Sequence, residues 1–130
     1  MTKILFTHSY FYRFDSKQWK AAQPYPPYGT LYAAAVMREC GFEVALFDTA
    51  LRSSSAEIAP LLAQTKPKYL VIYDDGFNYL TKMCLTRMRE AAFEMAKWGQ
   101  QHGCTVIVSS SDSTDHFEQY LSEGADFVVL

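Results

Sequence analysis

Short apolar runs alternate along this chain with longer stretches in which apolar positions recur every three or four residues. Lys3–His8 (KILFTH), Phe42–Asp48 (FEVALFD), Tyr69–Asp74 (YLVIYD), Thr105–Ser109 (TVIVS) and Asp126–Leu130 (DFVVL) predict five strands. Continuous apolar cores such as LVIY and VIV suit strands buried on both faces. Between the strands, Tyr28–Cys40, Ser55–Thr65, Tyr79–His102 and Thr114–Glu123 predict four helices. Gly41, Gly103 and Gly124 directly follow three of them, where a left-handed C-cap suits glycine, and Pro67 lies just beyond the other. The long third helix carries Cys84, Met88, Ala91, Met95 and Trp98 on one face, a stripe that reads as core. Lys82, Arg89, Lys97 and Gln101 fall on its other faces.

Strands separated by helices require parallel pairing with right-handed crossovers. The expectation is a flavodoxin-like (Rossmann-like) α/β fold, a doubly wound five-stranded parallel sheet in the order 2-1-3-4-5. A length of 130 residues suits one domain, 1–130, with room for one sizeable core. The final run, Phe127-Val128-Val129-Leu130, leads to the expectation of a piece cut from a longer protein.

Composition narrows the function classes. Hydrophobic residues make up 49% and charged residues 20%, which excludes a disordered tail. A net charge of −2 favours neither nucleic acid nor an anionic membrane surface. No apolar run approaches the ~20 residues that span a bilayer, and the N-terminus lacks the pattern of a signal peptide. A cytoplasmic location is the expectation that follows. Cys40, Cys84 and Cys104 lie far apart, with no Cys-x-x-Cys pair, and read as reduced, buried small hydrophobes.

In sheets of this kind ligands bind beyond the carboxyl ends of the strands, where the strand order reverses. Four segments make that rim: His8–Pro27, Asp48-Thr49, Asp74–Asn78 and Ser109–Thr114. The first is longer than an ordinary βα loop and holds Tyr10, Phe11, Tyr12, Phe14, Trp19 and Tyr25. These aromatics suit either stacking on a flat ligand or a lid packed on its own sheet edge. Asp74-Asp75 suit a cation, a sugar hydroxyl or a turn before Gly76. Ser109, Ser110 and Ser111 offer hydroxyls and close backbone approach, or a helix cap, with Thr114 another cap candidate. Pro26 and Pro27 stiffen the approach to the first helix, Tyr28-Gly29-Thr30 begin it, and Gly29 lets backbone come close to a bulky ligand. Asp48 closes the second strand at the same rim.

The stretch Pro26-Pro27-Tyr28-Gly29-Thr30-Leu31-Tyr32-Ala33-Ala34-Ala35-Val36-Met37-Arg38-Glu39-Cys40-Gly41-Phe42-Glu43-Val44 resembles the start of the cobalamin-binding domain at the N-terminus of B12-dependent radical S-adenosylmethionine enzymes. Those sequences carry Pro-Pro-x-Gly, an Ala-rich helix, Arg-Glu-x-Gly and then a strand closing on Asp, the place of Asp48 here. Gly124–Leu130 resembles the strand that precedes their radical domain. The resemblance implies cobalamin bound in this domain by Pro27, Tyr28, Gly29, Thr30, Asp48, Asp74, Asp75, Ser109, Ser110 and Ser111. It implies a downstream radical domain as partner, which alone would hold S-adenosylmethionine and a 4Fe-4S cluster. The Cys-x-x-x-Cys-x-x-Cys motif of that domain does not occur in this chain, so the chain alone is not expected to be an enzyme. The parent would be a methyltransferase or an oxidative cyclase.

Two positions depart from the family pattern. Ser109-Ser110 stand where relatives place Gly-Gly, so added Cβ and hydroxyl atoms either narrow the groove for the cofactor's tail or hydrogen-bond it. The window Phe6-Thr7-His8-Ser9-Tyr10-Phe11 keeps the His of the Asp-x-His-x-x-Gly motif but not its Asp or Gly, so no carboxylate is expected to orient His8 and no protein ligand to cobalt is expected. The other reading is a degenerate, cofactor-free domain that scaffolds the same parent. A receiver domain, a flavodoxin and a dinucleotide or P-loop site each lack their defining residues here.

Overall fold

The computed structural model describes residues 2–14, 20, 26–74 and 85–130. Five strands, β1 (Lys3–Thr7), β2 (Glu43–Phe47), β3 (Tyr69–Tyr73), β4 (Thr105–Ser109) and β5 (Phe127–Val129), form one sheet. All four pairings are parallel and the order is β2-β1-β3-β4-β5, as the alternation of strands and helices predicts. The described helices are α1 (Tyr28–Glu39), α2 (Ile58–Thr65), α3 (Leu85–Gln101), α4 (Ser111–Asp115) and α5 (Phe117–Ser122). None of them is long and apolar enough to cross a membrane.

Alternation along the strands divides the core. Leu5, Phe47, Leu70, Ile72, Val106 and Val108 point to one face and are sealed by Ile58 and Leu62 of the α2 region and by Ala91, Ala92, Met95 and Ala96 of α3. Ile4, Phe6, Val44, Leu46, Tyr69 and Val71 point to the other, where α1 supplies Ala33, Ala34 and Met37. Gly99 lets α3 lie close to the sheet: a Cβ there would stand 2.6 Å from Leu70 Cδ2 and 3.1 Å from Val106 Cγ2.

Helix ends show where sequence reasoning held. Gly41, Gly103 and Gly124 all adopt positive φ. The predicted Ser55–Thr65 helix begins as a 3-10 turn, Ser55–Glu57, held by a capping box between Ser54 and Glu57, and ends with Lys66 left-handed at φ 46° before Pro67. The first part of the predicted Tyr79–His102 helix lies outside the described residues. The predicted Thr114–Glu123 helix requires correction. Ser110 Oγ accepts the Ser113 N–H at 2.9 Å, which starts α4 three residues earlier, and the chain breaks at His116 before α5. Thr114 is not the cap; its hydroxyl donates to the Ser110 carbonyl at 3.0 Å.

Candidate functional site

The register of β1 on β2, with Thr7 beside Phe47, brings the residues after both strands side by side. His8 Nε2 lies 2.8 Å from Asp48 Oδ1, and the ring is only 1% exposed. Thr49 Oγ1 donates to the His8 carbonyl at 2.9 Å, and its own N–H approaches Nε2 at 3.3 Å. The Asp48 side chain is about half exposed and also accepts the Ala50 N–H at 3.0 Å. The hydrogen bond from His8 holds its carboxyl below the usual carboxylate range; burial opposes that shift and the Ala50 N–H adds to it. The expectation that His8 lacks an orienting carboxylate is therefore wrong. Asp48 supplies it from forty residues away. The signal was available: adjacent parallel strands end on His8 and Asp48.

Asp74 joins two other strand ends. Its Oδ1 accepts the Ser9 N–H and its Oδ2 the Ser9 hydroxyl, each at 2.7 Å, while its own N–H donates to the Ser109 carbonyl at 2.9 Å. It acts as a clamp between the chain after β1 and the ends of β3 and β4. Asp75 and the rest of the Asp74–Asn78 loop lie outside the described residues.

The first turn of α1 is fixed to the same rim. Thr30 is fully buried and its hydroxyl donates to the Tyr73 carbonyl at 2.7 Å. Pro27, buried, occupies the N-cap position, and no side chain caps the helix there. Gly29 is half-buried, whereas the Tyr28 ring is 71% exposed. Ser109 ends β4 half-buried, and Ser111 opens α4 on the surface. Ser110 is turned inward: besides its cap bond, its hydroxyl donates to Ser113 Oγ at 3.0 Å. The Ser109–Ser111 run thus serves first as a helix cap.

The described residues among those predicted, Pro27–Thr30, Asp48, Asp74 and Ser109–Ser111, lie along one rim, and Asp75 lies outside the described residues. Between Ser9, Asp74 and Ser110 on one side and Met88, Arg89 and Asp112 on the other, the remaining cavity is about 10 Å³, room for no more than a water. On the opposite side of the sheet the rim carries Pro27–Thr30, the Tyr73 carbonyl and Ser109.

Sequence reasoning missed the polar cluster that closes the first side. Arg89 donates from Nε and Nη2 to the two oxygens of Asp112 at 2.8 and 2.7 Å, and the Tyr120 hydroxyl donates to Oδ2 at 2.7 Å. Burial would raise the Asp112 carboxyl, but these bonds and the Arg89 charge outweigh it and hold it below the usual range. Burial pushes the Tyr120 phenol far up, and its bond to Asp112 pushes it further. An arginine on the solvent side of a helical pattern carries no sign of such a partner.

No family model matches the chain, and no curated protein matches it. A solved structure, "Crystal Structure of TesA", superposes with a TM-score of 0.48 at 17% identity, covering 97% of this chain and 77% of that one. That likeness adds nothing to what the strand order already shows.

Proposed function

We propose that this chain is a cobalamin-binding domain, which presents B12 at the carboxyl ends of its strands to a radical S-adenosylmethionine domain. The observation that carries the reading is the setting of the Pro26-Pro27-Tyr28-Gly29 motif. The first turn of α1 stands at the rim, tied to β3 by Thr30; the Tyr28 N–H donates to the Pro26 carbonyl at 2.9 Å, Pro27 supplies no side-chain cap to the N–H groups that follow, and the Tyr28 ring is exposed beside them. Backbone donors and an aromatic ring suit the amide-bearing edge of a large macrocycle. Among the described residues, Pro27–Thr30, the outer edge of Asp48 and Ser109 are the groups assigned to the cofactor; Asp75 lies outside the described residues. The cofactor, when bound, supplies a cobalt centre for methyl or electron transfer; the chain's own part is to seat it.

A second reading, a cofactor-free scaffold of the same parent, is favoured by the inward hydroxyl of Ser110 and the closed cavity beside it. Titration of the protein with hydroxocobalamin separates the two. The first predicts a red chromophore retained at one equivalent through gel filtration, with Gly29→Val weakening binding about tenfold or more, ~1.4 kcal/mol. No binding at ~100 μM cofactor, which excludes an affinity tighter than ~5.5 kcal/mol, overturns it in favour of the scaffold.

A further inference from the structure

We propose that His8 is a positioning residue, which locks Asp48 so that its outward oxygen, Oδ2, accepts a hydrogen bond from an N–H or O–H donor of the ligand seated on the rim. The role rests on the reading of that rim as a cobalamin seat, and the amide hydrogens at the edge of the macrocycle are the donors it would meet.

Asp48 Oδ1 lies 2.8 Å from His8 Nε2 and accepts the Ala50 N–H at 3.0 Å. The carboxyl is held in its ionised form and can only accept, so the hydrogen between the two side chains sits on Nε2. The Thr49 N–H, 3.3 Å from the same nitrogen, is then a distant neighbour. On the far side of the ring, Nδ1 lies 3.3 Å from Thr49 Oγ1. The imidazole is thus held at both nitrogens and is only 1% exposed, whereas the Asp48 side chain is 46% exposed. Among the described residues, Oδ2 has no hydrogen-bond partner. Arg52, whose charge Asp48 feels, turns elsewhere: its guanidinium stands 5.0 Å over the Phe47 ring and 3.9 Å from Glu57.

Holding two strand ends together does not account for this bond. Register already sets Thr7 beside Phe47. The Thr7 hydroxyl donates to the Phe47 carbonyl at 2.8 Å, the Thr49 hydroxyl to the His8 carbonyl at 2.9 Å and the Tyr12 N–H to the Ala50 carbonyl at 2.9 Å. These three tie the chain after β1 to the chain after β2 without the His8 ring. What the imidazole adds is the orientation of a half-exposed carboxylate that would otherwise sample several rotamers. Fixing it in advance removes that ordering cost from ligand binding. The place suits the cofactor too. Phe47 points into the α3 side of the core, so alternation sets Asp48 on the α1 side. There the first turn of α1, tied to β3 by Thr30, stands two strand spacings away, ~10 Å.

Hydroxocobalamin affinity of the 130-residue chain, read from the visible spectrum, tests this in a double-mutant cycle. His8→Leu and Asp48→Ala are each expected to weaken binding about tenfold, ~1.4 kcal/mol. The double variant should bind no worse than Asp48→Ala alone, because His8 acts through Asp48. His8→Gln, which keeps an N–H donor near the place of Nε2, is expected to bind within about threefold of the wild type. His8→Asn, whose shorter amide falls short of Asp48, takes the place of His8→Leu if circular dichroism shows the latter unfolded. A second readout needs no cofactor. In carboxyl 13C spectra the Asp48 midpoint should lie below the ordinary carboxylate value in the wild type and in His8→Gln, and higher in His8→Leu. An unmoved midpoint, or losses that add to ~100-fold in the double variant, overturns the positioning role. Wild-type binding with His8→Leu unimpaired sinks this proposal and leaves the cobalamin reading standing. No binding by the wild type sinks the cobalamin reading, and the ligand bond to Asp48 with it, whatever the midpoint does.

Discussion

Asp112 is 6% exposed and still ionised, because Arg89 grips both of its oxygens and Tyr120 adds a third bond. Removing the carboxylate leaves a half-buried guanidinium without its partner. Asp112→Asn is therefore expected to cost about 3 kcal/mol in urea denaturation, and Tyr120→Phe about 1 kcal/mol. The sign with pH follows from the depressed carboxyl. Its contribution is fully present above the unfolded-state value of about 4 and is lost as pH falls through the lower folded value. The urea midpoint should drop more steeply below about pH 4 in the wild type than in Asp112→Asn; parallel slopes would show that the pair contributes nothing. Asp48 acts in the same direction, more weakly, since water screens its exposed side. At this scale the sequence was only partly readable. Position alone marked Asp48, Asp74 and Ser109–Ser111 as rim residues. Their partners His8, Ser9 and Ser113 follow from register and cap geometry, and the Arg89–Asp112 bond joins residues 23 apart with no local pattern between them.

Elements were legible where a single local force sets them. Strand cores matched because apolar runs in a parallel sheet have no other place to go, and glycine closed three helices because only it adopts positive φ without penalty. The segment after β4 misled because four polar residues in a row read as loop, when one of them, Ser110, caps a helix made of the rest. Ser110→Ala is expected to lower stability by about 1 kcal/mol and to loosen α4 in amide exchange. A loss below ~0.3 kcal/mol would deny the cap its role. Gly99 lies in the last turn of α3, where helix propensity still favours alanine, by up to ~1 kcal/mol. The added methyl would press on Leu70 and Val106, both fully buried, and the branched valine has little freedom to turn aside. Gly99→Ala is expected to be a net loss of about 1 kcal/mol, and a stabilised variant would show that α3 can lift from the sheet at no cost.

Among the described residues, the two faces of the sheet are unequally covered. One face of the sheet holds most of the buried apolar side chains and the described helices α2 to α5; the other rests on α1. Cooperative units with few buried contacts open first. Amides of α1 should thus exchange at least about tenfold faster than those of α3. Equal protection of the two helices would contradict the asymmetry. The fold itself was readable because alternation of strand and helix leaves one economical topology.

The strand order has one consequence in time. β1 is made before both strands it pairs with: it lies inside the sheet between β2 and β3, which come from about forty and sixty-five residues downstream. At about 5–20 residues per second, Leu5 and Phe6 wait roughly 3–13 s for Leu70 and Val71 to be synthesised. The most buried strand of the finished protein is the one that spends longest unpaired while the chain is made, so conditions that slow elongation near residue 70 should lower the soluble yield even when the completed fold is unaltered.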